Sequence, residues 1–158
     1  MTSPHTLARI APLLGRDLRL DFAQHGGFFE DADLAATARA STRLDVALAD
    51  GVDNLTQGIA NRLKTRRGEL AALGHPDYGS RHHELVGQPN VDRTRNLIKL
   101  YVLQALRDEP RIAKVLAIRV APEHDPPRET VRIDITVRLI DTPVALDLVV
   151  PFSLGVGV

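Results

Sequence analysis

Three groups of side chains in this sequence have the types and spacing for chemistry. Glu69 and Asp77 lie close together in "GELAALGHPD". Two carboxylates held ~5 to 9 Å apart, one with a raised pKa, hydrolyse glycosidic bonds. The ordinary alternative is that Glu69 bonds loop amides and Asp77 initiates a turn after Pro76. His75, His82, His83 and Glu84 form the second group, since imidazoles and carboxylates bind zinc. Adjacent His82 and His83 diverge by about 100° on a helix, and no HExxH spacing occurs. Solvated or interface histidines, and no metal, are the expectation. The third group is Glu109-Pro110-Arg111. A proline fixes the corner, and a guanidinium fork suits carboxylates or carbonyls. Glu109 and Arg111 then either pair locally and cap a helix, or meet a partner. No nucleophile with a base and no glycine-rich phosphate loop is present, and no cofactor is expected.

The elements that would position these groups follow from periodicity. "RDLRLDF", residues 16–22, and "RLDVALAD", residues 43–50, alternate polar and apolar residues as strands do. The stretch between them, from Ala23 to Thr42, reads as loop with a short helical turn. Asn54 and Gln57 have capping-box spacing at the start of a helix, along which Leu55, Ile59 and Leu63 form a stripe ending near Gly68. A glycine-rich loop follows, with a helical turn at Glu84–Val86. The second helix is predicted from about Val91 to Asp108. Leu97, Ile98, Leu100, Tyr101, Val102, Leu103, Ala105 and Leu106 cover most of its circumference, which predicts burial on several sides. After Pro110, strands are predicted at 116–120, 130–140 and 146–150, with a polar loop "PEHDPPRE" and a turn "DTPVA" between them. No internal repeat is evident. The order predicts an α+β fold: helices packed on one face of a mostly antiparallel sheet that ends in a three-strand meander.

Composition narrows the function. The chain has 158 residues, one domain's worth, with 20 basic and 20 acidic side chains. A net charge of zero lacks the basic face a nucleic-acid binder needs. No cysteine is present, which excludes disulfides and thiolate ligands and fits assembly in the cytoplasm. The N-terminus has no secretory-signal pattern, and no apolar run reaches the ~18 residues of a membrane span.

Several pieces line up with one family. "RLKTRRGELAALGHPDYGS" carries a T-x-x-G-E…P-x-Y-G pattern in Thr65, Gly68, Glu69, Pro76, Tyr78 and Gly79. "ALRDEPRI" supplies Glu-Pro-Arg, and "LDLVVPF" resembles a final strand. From Leu44 to Phe152 the chain resembles the baseplate wedge proteins of contractile tails. These are the phage W-protein type, also labelled lysozyme-like, with relatives in type VI secretion and extracellular contractile injection particles. The resemblance implies residues 1–42 as an N-terminal extension or arm and 43–158 as the wedge domain. It implies structural work without catalysis: six copies around the hub end of the inner tube, with a sheet edge to which arms of the first sheath ring add strands. It implies a Glu109-Pro110-Arg111 corner that meets neighbouring wedge subunits. The partners are then sheath, other wedge proteins, and hub or tube, without nucleic acid or membrane insertion. On this reading Arg111→Ala leaves the chain folded but blocks assembly. The lysozyme-like label suggests an alternative, a muramidase using Glu69 with Asp77 or Glu84.

Overall fold

The computed structural model describes residues 11–25, 29–40, 43–123, 130–140 and 145–155. The expected loop at 122–129 and turn at 141–145 therefore lie largely outside the described residues. The chain divides into two compact units, with the boundary inside the first helix between Gln57 and Gly58.

In the first unit the alternating segments form strands, each broken once. Strands β1 (Arg16–Leu18) and β6 (Leu48–Asp50) pair antiparallel, as do β2 (Leu20–His25) with β3 (Phe29–Leu34) and β4 (Ala36–Ala40) with β5 (Arg43–Val46). The expectation of a loop with a helical turn over Ala23–Thr42 is thus wrong for its described part. Small and acidic residues such as "EDADL" and "ATARA" have low strand propensity, and cross-strand pairing overrides it. The three ribbons meet where each chain leaves one ribbon for the next. There Arg19 N–H donates to Ala47 O (2.8 Å), Ala35 N–H to Arg19 O (2.9 Å) and Ala47 N–H to Ala35 O (2.8 Å). This closed triangle has threefold character. Asp17-Leu18-Arg19-Leu20, Asp33-Leu34-Ala35-Ala36 and Asp45-Val46-Ala47-Leu48 occupy equivalent positions. In each, the aspartate accepts from the next amide, at 2.7, 2.7 and 2.9 Å. A short internal repeat is therefore present. Four residues that share only the leading aspartate are too degenerate to recognise without the pairing.

Helix α1 (Gly51–Lys64) follows. It begins earlier than the capping-box spacing places it. Gly51 takes φ of 56°, and its N–H donates to Gly15 O at 3.1 Å. Asn54 and Gln57 are inside the helix, where their carboxamides serve backbone outside it: Asn54 Nδ2 donates to Leu14 O, ahead of β1, and Gln57 bonds Leu18 O and Leu20 N–H at the ribbons, all at 2.8 Å. The expected stripe holds, with Leu55, Ile59 and Leu63 buried.

The second unit is α+β. A loop containing short 3-10 turns at Ala71–Leu73 and His82–Leu85 leads to helix α2 (Asp92–Leu106). Asp92 lies in its first turn, near the positive end of the helix dipole. Strands β7 (Ile112–Pro122), β8 (Thr130–Leu139) and β9 (Ala145–Ser153) then form the antiparallel meander β7-β8-β9. On one face Val131, Ile133, Ile135, Val137, Leu139, Leu146, Leu148 and Val150 are buried. On the other face Arg132 pairs with Asp134 and Thr136 with Asp147, beside the exposed Val149. Helix α2 lies against β7. Its burial is one-sided, contrary to expectation. Ile98, Tyr101, Val102, Ala105 and Leu106 are buried, whereas Leu100 and Leu103 are 46% and 47% exposed.

Candidate functional site

Helix α2 stops short of Pro110, and the chain turns through the corner by two backbone bonds. Glu109 N–H donates to Leu106 O and Ile112 N–H to Glu109 O. This turn aims the Glu109 carboxylate inward, where the side chain is 4% exposed. Arg111 Nε donates to its Oε1 at 2.6 Å, and Arg62 from α1 approaches Oε2 at 3.4 Å. The Arg62 guanidinium also lies 4.4 Å from the Tyr78 ring centre. Burial raises the Tyr78 hydroxyl pKa, against the opposing pull of Arg62. Gly58 makes room on α1: a Cβ there would stand 2.8 Å from Arg111 Nη2. One carboxylate therefore joins α1, the loop after it, the end of α2 and the start of β7. A buried carboxylate needs such partners, since its desolvation is costly.

The T-x-x-G-E…P-x-Y-G residues build the loop that carries Tyr78. Thr65 Oγ1 donates to Asn61 O, ending the helix, while Ser80 N–H donates to Thr65 O and Arg67 N–H to Ser80 O. Gly79 must be glycine. It has φ of 103°, and a Cβ would stand 2.7 Å from Thr65 O. Glu69 Oε2 accepts from Arg66 N–H at 3.1 Å, and Gly68 N–H reaches Tyr78 O. Pro76 is exposed, and its carbonyl faces Gly68. Asp77 is solvent-facing and paired with Arg67 at 2.8 Å.

The four candidates of the histidine group are dispersed. His75 and His83 are exposed, and His82 is buried. Ser80 Oγ gives its one proton to Leu63 O (2.5 Å), so the 2.7 Å bond to His82 must be donated by the ring from Nδ1. His82 Nε2 is left buried and unpaired among the described residues, with the ring set edgewise to Tyr101 and Phe152. Burial, assisted by nearby His83, lowers its pKa to about 4. Glu84 forms a two-bond pair with Arg81 and accepts from Tyr101 Oη. Those bonds to Arg81 lower its pKa, the opposite of what a general acid requires.

The profile of the family described as baseplate wedge protein gp25 matches residues 49–144, more than half the chain. The chain belongs to the baseplate wedge protein gp25 family. A crystal structure from Geobacter sulfurreducens, provisionally named a tail lysozyme, is similar at 32% identity and a TM-score of 0.53. The similarity covers 62% of this chain and 86% of that one. No curated protein matches. The wedge family assigns a structural role in a tail baseplate. The matched span contains both motifs, which the fold unites in one ionic cluster. Arg62 and Gly58 complete that cluster, and neither stands out in the sequence as a site residue. The only signal is the glycine itself, which costs about 1 kcal/mol inside a helix. No helix among the described residues is long and apolar enough to cross a membrane.

Two outcomes follow. Arg111→Ala removes the 2.6 Å donor from a buried carboxylate, so it should cost about 2–3 kcal/mol in urea unfolding. The variant is still expected to fold, as the sequence reading has it, but with a measurable loss of stability, because Glu109 is internal. A change within about 0.5 kcal/mol would place the arginine at the surface in energetic terms. His82 is held neutral in the fold to about 4, against an ordinary 6.5. Its stability contribution is complete above pH 6.5 and is lost as pH falls toward 4, by at most about 3 kcal/mol. His82→Leu should flatten the stability profile between pH 6.5 and 4.5. An unchanged slope would assign that loss to other groups.

Proposed function

We propose that this wedge protein joins neighbouring wedge subunits through its Glu109-Pro110-Arg111 corner. Six copies around the hub end of the inner tube would then template the first sheath ring by strand addition. The observation that carries the reading is the meander. Its inner face is packed by the chain's own apolar residues, while β7 and β9 are its outer strands. Strand β7 has two register irregularities, between Ile112 and Lys114 and between Val115 and Ala117. Strand β9 pairs without interruption from Ala145 to Ser153. Bulges disrupt pairing and protect edges, so β9 is the strand we assign to the sheath arm. In the corner, Glu109 acts from inside by fixing Arg111, and Pro110, which is exposed, would face the neighbour.

The muramidase reading has less support. Glu69 is occupied with a loop amide, Asp77 with Arg67 and Glu84 with Arg81. The test is co-purification with a contractile-tail sheath subunit from the same genome, followed by hydrogen exchange. Recovery of the complex with slowed exchange over Leu146–Val150 is expected. Protection confined to β7, or no complex, would refute the assignment of β9 or the sheath role respectively.

A further inference from the structure

The triangle of ribbons carries a feature outside the meander and independent of the wedge reading. In an antiparallel ribbon, the two backbone groups of each non-hydrogen-bonded pair point away from the partner strand. Leu18 pairs with Leu48, Leu20 with Leu34, and Ala36 with Val46. Each pair is one step from a bonded junction residue, so all six residues direct N–H and C=O outward. At one corner this outward backbone is occupied. Gln57 donates Nε2–H to Leu18 O and accepts Leu20 N–H, both at 2.8 Å. Its carboxamide makes the one-donor, one-acceptor bridge that a residue of a parallel strand would make.

The threefold character repeats this arrangement twice. Leu34 O with Ala36 N–H, and Val46 O with Leu48 N–H, hold the places of Leu18 O and Leu20 N–H. No side chain or backbone group bonds them among the described residues. Their surroundings are exposed: Leu34 is 50%, Val46 40%, Leu48 50% and nearby Leu44 80% exposed. At all three corners the neighbouring N–H, of Leu18, Leu34 or Val46, is already taken by its own aspartate. At each open corner one donor remains, with an acceptor two residues before it placed as Leu18 O is placed for Gln57, beside half-exposed aliphatic side chains.

We propose that these two corners are amide-binding sockets for an extended segment of a partner polypeptide. The partner places the N–H and C=O of one extended residue where Gln57 places those of its carboxamide at the third corner. Gln57 identifies the chemistry, and the flanking leucines and valine favour apolar side chains in the segment. Edge backbone beside apolar side chains is a ready template for strand addition.

The test is amide NMR of the full chain, titrated with a short end-capped peptide alternating valine and glutamine. Before titration, the Ala36 and Leu48 amides should exchange faster than the Leu20 amide. Equal protection would mean that the sockets are already filled, which overturns the proposal. With peptide, Ala36 and Leu48 should shift saturably and Leu20 should not. In Gln57→Ala, Leu20 should join the responding amides. A variant combining Ala36→Pro and Leu48→Pro removes both donors and should lose the response read at the neighbouring Leu34 and Val46 amides, with the Arg19, Ala35 and Ala47 amides reporting whether the junction survives. Should that variant unfold, the Gln57→Ala result decides. An unchanged response in the folded proline variant would show apolar adhesion alone, and no response in the wild-type chain would refute the sockets.

Discussion

A carboxylate taken almost wholly out of water must be held by donors, or the fold around it gives way. Glu109 is such a group, and its two guanidinium partners come from α1 and from the residue just before β7. The requirement extends outward from there. Arg111 can reach the carboxylate because α1 carries glycine at position 58. Arg62 is flanked by Tyr78, which sits on a loop closed by Thr65, Gly79 and Ser80. The two motifs that look separate in the sequence are thus halves of one arrangement. Each half would leave buried charge or unsupported loop without the other.

That arrangement gives the two motifs a physical meaning that needs no reaction. Gly79 answers a backbone clash, Thr65 ends a helix, and Glu69 accepts a loop amide. These roles suit a part that must keep its shape under load from neighbours. The lysozyme name attached to a structural relative describes none of them.

Much of the fold was legible in the sequence because apolar periodicity reports burial directly. Leu55, Ile59 and Leu63 on α1, and Val131 to Leu139 on β8, lie where the pattern puts them. Asn54 and Gln57 misled because a capping box and a long-range carboxamide bond use the same residue types, and only the ribbon backbone distinguishes them. Ala23–Thr42 misled because its strand content comes from cross-strand pairing and not from local preference. At the corner the sequence named Glu109 and Arg111 but left their direction open. The turn through Pro110 decides it by aiming the carboxylate inward, while Arg62 was invisible among twenty basic side chains.

The most direct test is a double-mutant cycle on Glu109→Ala and Arg111→Ala, read as unfolding free energy. If the buried pair organises the site, the two substitutions should be coupled by at least about 1.5 kcal/mol. Additivity within about 0.5 kcal/mol would contradict the account, leaving the corner as two independent side chains that happen to lie close together.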